Sequence, residues 1–121
     1  MKTNVVRNSE KKMLGALSLL YEAGFLTNRL GLAKVIRGKE DEETLPVAFL
    51  RCFGYAPSLS NKLISRRLLS LEKKGMVEIK EERGVEGLIF LTKEGQGEAN
   101  LELFPSPSLR KKKKPNIIRY Q

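Results

Sequence analysis

The sequence predicts an α+β fold that is mainly helical. Three stretches among the first 75 residues repeat apolar side chains at three- and four-residue steps, which is the period of an α-helix. Gly24, Gly38 and Gly75 follow these stretches and are typical helix ends. Beyond Gly75, apolar residues alternate with charged ones, as in a half-buried strand. Helices are therefore expected first along the chain and strands last.

The first helix is predicted to begin at Ser9 and to end before Gly24. Its apolar side repeats at helical spacing through Met13, Leu17 and Leu20. Asn8 or Ser9 supplies a side chain that can cap the first turn. Residues before it are polar, so a loose arm is expected there.

The second helix is predicted to follow an N-cap at Thr27 and to end at Gly38. The run KEDEET (39–44) that comes next is expected to be a solvated connection. The segment PVAFLRCFGY (46–55) is apolar, which indicates a buried stretch with a short third helix. Cys52 lies within it and is expected in the core.

The stretch NKLISRRLLSLEKKG (61–75) is predicted to be the next helix. Ser58 or Ser60 can cap its start, and Gly75 stops it. On a helical wheel its core side is formed by Ile64, Leu68 and Leu71. Charged residues occupy the opposite side of the same helix.

The alternation in MVEIKEE (76–82) predicts a strand, and LIFLT (88–92) predicts a second one. Between them, RGVEG (83–87) is expected to form a five-residue hairpin loop. A short final helix or an extended end follows. Helix, helix, short helix, helix and β-hairpin is the element order of a winged helix, a helix-turn-helix with a C-terminal β-hairpin wing.

One domain is expected in a chain of 121 residues. We predict a flexible arm at 1–8, a winged-helix domain at 9–104 and a basic disordered tail at 105–121. The tail contains PSPSLRKKKKPN, whose proline, serine and lysine bias opposes a packed core. Six of the nine excess positive charges lie in residues 110–121, so the domain itself is only slightly basic.

Composition excludes several classes of site. The chain has one cysteine and no histidine, which rules out an internal disulfide, a zinc finger and any Ser–His or Cys–His nucleophile pair. The acids at 40–43 are adjacent and cannot all face one metal ion. No apolar run approaches a signal peptide or the roughly 20 residues of a membrane span. We expect a cytoplasmic protein without enzymatic activity, cofactor, metal or membrane contact.

The charged side of the fourth predicted helix is the candidate binding surface. In helix-turn-helix proteins, residues near the start of the second helix contact base edges in the major groove. A basic outward side is also common on helices that only face solvent. The position directly before a hairpin favours the binding interpretation. The candidate nucleic-acid contacts on this helix are Asn61, Lys62, Ser65, Arg66 and Lys73.

Two further groups of basic residues are candidate nucleic-acid contacts. Arg37 lies at the predicted end of the second helix, where the helix dipole favours a cation and where a phosphate contact is an equal alternative. The tail cations are expected to act as a sequence-blind, salt-sensitive tether. They are Arg110, Lys111, Lys112, Lys113 and Lys114.

The stretch from Leu26 to Ile79 resembles the RQC domain, the winged-helix module that follows the core of RecQ-type helicases. The resemblance is carried by GLAKVIRGKEDEETL (31–45), FLRCFGY (49–55) and SNKLISRRLLSLEKKGMVEI (60–79). These match that family's helix ending in a basic residue and glycine, its apolar segment closing on an aromatic–glycine step, and its recognition helix with the first wing strand. LIFLTKEGQG (88–97) resembles winged helices in general, transcriptional regulators included.

The resemblance implies binding to duplex or junction DNA, with a helicase or another replication or repair protein as a partner. It does not imply a motor, because no GxxxxGK[ST] loop is present, and the zinc segment of many full-length relatives is absent. Some RQC wings carry an aromatic tip that parts the duplex. Here residues 83–87 have no aromatic and the wing is acidic, so unwinding by the wing is not expected.

Two other functions remain open from the sequence. A transcriptional regulator would need an operator and usually a dimer. An RNA- or ribosome-associated protein would use the same basic helix on a different nucleic acid.

Overall fold

The computed structural model describes residues 6–99 and residue 104. The helices are α1 (Asn8–Glu22), α2 (Arg29–Arg37), α3 (Asn61–Lys73) and α4 (Lys93–Glu98), with one 3₁₀ turn at Leu45–Val47. The strands β1 (Val77–Glu82) and β2 (Val85–Leu91) form an antiparallel hairpin. The prediction of an α+β fold is confirmed, and the element order is compatible with a winged helix. The tail predicted at 105–121 lies outside the described residues.

The N-caps of the first two helices differ from the predicted ones: Arg7 takes the place of Asn8 or Ser9, and Asn28 takes the place of Thr27. α1 starts at Asn8, and its N-cap is Arg7, whose backbone N–H donates to the Glu10 carboxylate at 3.0 Å. Of the predicted arm, Val6 is buried in the core, and residues 1–5 are not described. α2 is capped by the Asn28 side chain, which accepts from the Gly31 N–H.

Thr27 does not cap α2 because its backbone is used by the hairpin. The Ile89 N–H donates to the Thr27 carbonyl at 2.9 Å, which forms an isolated antiparallel bridge. Thr27 therefore lies beside β2 in extended conformation, and the capping role passes to the next residue. This bridge ties the hairpin to the start of α2.

The segment between α2 and α3 packs against the end of α2. The predicted third helix is only a 3₁₀ turn followed by further turns. Some backbone N–H groups of this segment bond to α2 rather than within the segment: the Gly54 N–H donates to the Val35 carbonyl, and the Ala56 N–H donates to the Ile36 carbonyl. Cys52 is fully buried, as predicted.

The connection at 39–44 is not simply solvated, as the sequence had indicated. Thr44 is buried, and its hydroxyl donates to the Lys39 carbonyl at 2.7 Å. Asp41 accepts from the Thr44 N–H and forms an ion pair with Lys34 at 2.8 Å. The hydrogen bonds of Thr44 close the loop on itself, and the ion pair between Asp41 and Lys34 joins it to α2.

The core lies between α1, α2, α3 and one side of the hairpin. The three α3 side chains predicted to be buried are at most 3% exposed, which confirms the predicted core side of that helix. α1 and α2 contribute most of the remaining core. The largest fully buried side chains include Met13, Leu14, Leu32, Ile36, Ile64, Leu71 and Val77.

The hairpin turn is shorter than predicted. Glu82 pairs with Val85, so Arg83 and Gly84 alone form the turn, with φ values of 54° and 82°. Two successive positive φ values are typical of a type I′ turn, whose twist matches that of the strands. A bulge separates Lys80 from Glu82. The prediction of a five-residue loop was wrong because Val85, Glu86 and Gly87 belong to β2, in which Val85 pairs with Glu82.

The predicted alternation of β1 is only partly confirmed. Val77 is buried, but Ile79 on the same side is 36% exposed. α4 follows β2 directly and is capped by Thr92, whose hydroxyl accepts from the Gly95 N–H. None of the helices within the described residues has the length and apolar character needed to cross a membrane.

Replacing Gly38 by alanine is expected to lower the free energy of unfolding by about 1–2 kcal/mol or more. Gly38 has a φ of 74°, and an added Cβ would lie 2.9 Å from the Gly54 Cα. Gly97→Ala in α4 is the matched control, because nothing lies within 4 Å of its Cβ position. The control should be stable or slightly stabilised, since alanine favours helices by about 1 kcal/mol over glycine. Equal urea midpoints for both variants would contradict this account.

Candidate nucleic-acid interface

The outward face of α3 carries three exposed cations: Lys62, Arg66 and Lys73. In the part of the chain that the structure describes, no carboxylate lies within ion-pair distance of any of them. By contrast, Lys34 and Lys74 each contact a carboxylate oxygen at 2.7–2.8 Å. The positive charge on this face is therefore not neutralised by described neighbours.

The first turns of α2 and α3 meet at one recess. Ser65 is half-buried, and its hydroxyl accepts from an Arg29 guanidinium nitrogen at 3.3 Å. Asn61 is exposed at the first position of α3. The recess has a volume of about 230 Å³ and is lined by Arg29, Leu30, Ala33, Asn61, Lys62, Ile64 and Ser65.

This recess suits an anion for two physical reasons. Two of its side chains are cationic, Arg29 and Lys62. It is also lined by first-turn residues of two helices, whose N-termini carry partial positive charge. A phosphate group placed there would meet donors and positive potential from both helices.

Arg29 is a candidate that the sequence did not identify. It lies 36 residues before Ser65 in the chain, and no periodic pattern relates positions on two separate helices. An arginine at the first position of a predicted helix was the available signal, because that position disfavours a cation. Its place beside α3 depends on how the two helices pack.

Arg37 is not joined to the α3 face by any described contact. Its guanidinium donates to the Leu59 carbonyl at 3.3 Å, so it links the end of α2 to the segment before α3. A phosphate contact by this half-buried residue stays a prediction. The candidates from Arg110 to Lys114 lie outside the described residues.

The β-hairpin carries charge of the opposite sign. Glu78, Glu81, Glu82 and Glu86 are all exposed on the hairpin, and the Lys80 ammonium pairs with Glu78 at 3.4 Å. Carboxylates at this density repel phosphates. The hairpin is therefore less favourable to a polyanion than the cationic face of α3.

A buried carboxylate fixes the C-terminal half of α3. The Glu10 carboxylate on α1 accepts hydrogen bonds from the Ser70 hydroxyl at 2.7 Å and from the Lys74 ammonium at 2.8 Å. Burial alone would raise the pKa of Glu10. The hydrogen bonds from Lys74, the Arg7 N–H and Ser70, together with the charge of Lys74, outweigh burial and lower the pKa below its usual value of 4.5.

No group of three or more potential metal-binding side chains occurs within residues 6–99 and 104. Comparisons with protein-family models, with curated proteins and with solved structures found no match to this chain. Support for the candidate interface therefore comes only from the geometry of this protein.

Replacing Glu10 by glutamine is expected to lower the free energy of unfolding by about 1–3 kcal/mol at neutral pH, because Lys74 loses its charged partner. Ser70→Ala, which removes one hydrogen-bond donor and no charge, is the matched control and should cost about 0.5–1.5 kcal/mol. Urea unfolding monitored by circular dichroism measures both.

The pH dependence follows from the sign of the pKa shift. Because Glu10 has a lower pKa in the folded chain, the unfolded chain binds its proton first as pH falls. The stabilisation is complete above the unfolded pKa near 4.5 and is lost as pH falls through the folded pKa. The gap in unfolding free energy between the parent protein and Glu10→Gln should therefore narrow over that range. A gap independent of pH would contradict the assignment.

Proposed function

We propose that this protein is a winged-helix module that binds nucleic acid through α3, with duplex or junction DNA as its ligand and without catalysis. The observation that carries this proposal is the outward face of α3, where Lys62, Arg66 and Lys73 are exposed without described carboxylate partners. Arg29 extends the same positive surface onto α2. An exposed, unneutralised line of cations is the electrostatic footprint of polyanion binding.

The winged-helix assignment is supported by the connectivity. α2 and α3 form a helix pair, and the hairpin follows α3 directly. The bridge between Thr27 and Ile89 adds a pairing at the outer edge of β2. The connection from α2 to α3 is longer than a simple turn, but it packs back onto α2. α3 therefore keeps an open outward face.

The contacts divide by position along α3. Asn61, Lys62, Ser65 and Arg66 belong to its first two turns, where a recognition helix meets base edges and adjacent phosphates. Lys73 is 11 residues beyond Lys62, about 16 Å along the axis, and suits a phosphate on the neighbouring backbone. The tail cations would add attraction without sequence preference.

In the proposed binding mode the acidic hairpin does not follow the sugar–phosphate backbone of the nucleic acid, as a basic wing would. With Glu78 and Glu86 exposed on it, the wing would stay clear of phosphates. The proposal is accordingly one of duplex or junction binding, as the resemblance to RQC domains implies, and not of strand separation.

A second candidate is a dimeric transcriptional regulator. Phe25, Leu26 and Val85 are 36%, 40% and 50% exposed and line one broad groove beside α2, which is the kind of surface that a second subunit covers. Sedimentation equilibrium separates the candidates, because a monomer at micromolar concentration disfavours the regulator.

Arg66→Ala is expected to weaken binding to a short duplex by about 1–3 kcal/mol if Arg66 contacts a base. If Arg66 contacts phosphate, the slope of log K against log salt should fall by about one unit. Lys62→Ala should behave similarly. Lys93→Ala on α4 removes the same charge from an exposed position away from this face and is the control. Fluorescence anisotropy over a salt series measures both quantities.

Equal losses in the Lys62, Arg66 and Lys93 variants would mean that binding follows net charge alone. Unchanged affinity and slope in the two α3 variants would remove α3 from the interface. Either result contradicts the proposal.

The preferred ligand can be identified by competition. A labelled DNA duplex bound to the protein should be displaced by unlabelled duplex or four-way junction DNA at lower concentration than by an RNA hairpin or single-stranded DNA of equal charge. Better displacement by the RNA hairpin would favour the RNA-associated alternative.

A further inference from the structure

A groove between α3 and the wing has a chemistry that nucleic-acid binding does not use. This α3–wing groove has a volume of about 420 Å³, and its exposed apolar side chains are Leu30, Leu69 and Ile79. They are 61%, 52% and 36% exposed, respectively. They come from α2, α3 and β1, so folding brings them together.

These exposed apolar side chains do not belong to the buried core. Leu68 turns inward and is 3% exposed, while its neighbour Leu69 points outward at the edge of the cationic face. A contiguous apolar surface rimmed by charge marks an interaction site more often than a solvated face.

The rim of the groove is acidic. Glu72 of α3 and Glu86 of β2 line it, and Arg29 lies at the opposite end. A second depression of about 590 Å³ runs along β1, shares Glu72 and Ile79 with the groove, and adds Glu78 and Glu94. Only Glu78 of these four carboxylates has an ion pair among the described residues.

The outer edge of β1 is open beside this surface from Ile79 onward, whereas Val77 is 1% exposed and its backbone is covered. The Thr92 N–H donates to the Met76 carbonyl, and antiparallel alternation then directs the backbone groups of Val77 and Ile79 away from β2. Thr27 pairs with the other edge of the hairpin. Within the described residues, no strand pairs with the β1 edge.

We propose that the α3–wing groove binds an extended, basic segment of a partner protein in which lysine or arginine alternates with large apolar side chains. The apolar side chains of that segment would cover Leu69 and Ile79, and its cations would face Glu72 and Glu86, which line the groove. Strand addition along an open edge gives backbone hydrogen bonds, and the flanking side chains give specificity. Phosphates are disfavoured here by the same carboxylates.

The interaction does not depend on the nucleic-acid proposal. The groove adjoins the cationic face, because Arg29 and Ser65 line both the groove and the recess at the start of α3. Glu72, Ile79 and Glu86 line only the groove, so a basic protein segment and a nucleic acid would meet different residues beside α3.

The test uses the full chain and a short, blocked, fluorescently labelled peptide in which lysine alternates with valine. One control peptide has glutamate in place of lysine, and another has serine in place of valine. The chain carries a net charge of +9, so nonspecific attraction favours the glutamate peptide. Preference for the lysine–valine peptide over both controls is the expected result. Equal or better binding of either control would overturn the proposal.

Variants of the full chain locate the site. Leu69→Gln, Ile79→Thr and the double variant Glu72→Gln/Glu86→Gln should each weaken binding of the lysine–valine peptide by about fivefold or more. Phe49→Gln and Glu22→Gln change exposed residues outside the groove and should bind as the parent does. Circular dichroism confirms folding, and Leu69→Gln alone decides the apolar contribution if Ile79→Thr does not fold.

Undiminished peptide binding in Leu69→Gln and in the double glutamine variant would overturn the proposal. A loss of duplex affinity in the same two variants would also overturn it, since the groove would then belong to the nucleic-acid surface. The expected result is loss of peptide binding, with duplex affinity unchanged in Leu69→Gln and equal or higher in the double glutamine variant, which loses two carboxylates that repel phosphate. Failure of duplex binding in the parent protein would leave the peptide result unaffected.

Discussion

Burial of one side of α3 is the constraint on which the rest of the molecule depends. Ile64, Leu68 and Leu71 are at most 3% exposed and set the rotation of the helix about its axis. Their spacing leaves the residues at the remaining angles facing outward. Fully burying three aliphatic side chains contributes about 1.5–3 kcal/mol each, so no other rotation of α3 competes.

A polar contact complements this apolar one. Glu10 binds Ser70 and Lys74 on the flank of α3 that faces α1. Arg29 binds Ser65 on the opposite flank. The helix is therefore held on both flanks while its outward face carries no described ion pair. A rigid element with an open charged face is the arrangement that binding needs.

The two sides of α3 differ in charge although the chain as a whole is strongly basic. Six of its nine excess positive charges lie in residues 110–121, so overall charge says little about the folded surface. Cations lie along the outward face of α3 and at the start of α2, whereas exposed carboxylates lie mainly on the hairpin. On the two proposals made above, nucleic acid and a basic protein segment would meet different parts of this surface.

Local patterns in the sequence predicted the parts of this arrangement that depend on local spacing. The buried side of α3, the Ser60 cap, the left-handed Gly38 and the buried Cys52 all agree with the structure. The contacts from Glu10 and Arg29 to α3 were not predicted, because they join residues 36 to 64 positions apart. The sequence predicts a cap at Thr27 and not its pairing with Ile89, because that partner is equally remote in sequence.

The most direct test is to follow backbone amide chemical shifts by NMR while a short DNA duplex is added to isotopically labelled protein. The account predicts that the largest shift changes fall on residues 29–31 and 61–66, with smaller ones near Lys73 and little change on the acidic hairpin at 78–86. Changes concentrated on the hairpin, or on α1 and α4 with α3 unaffected, would contradict it.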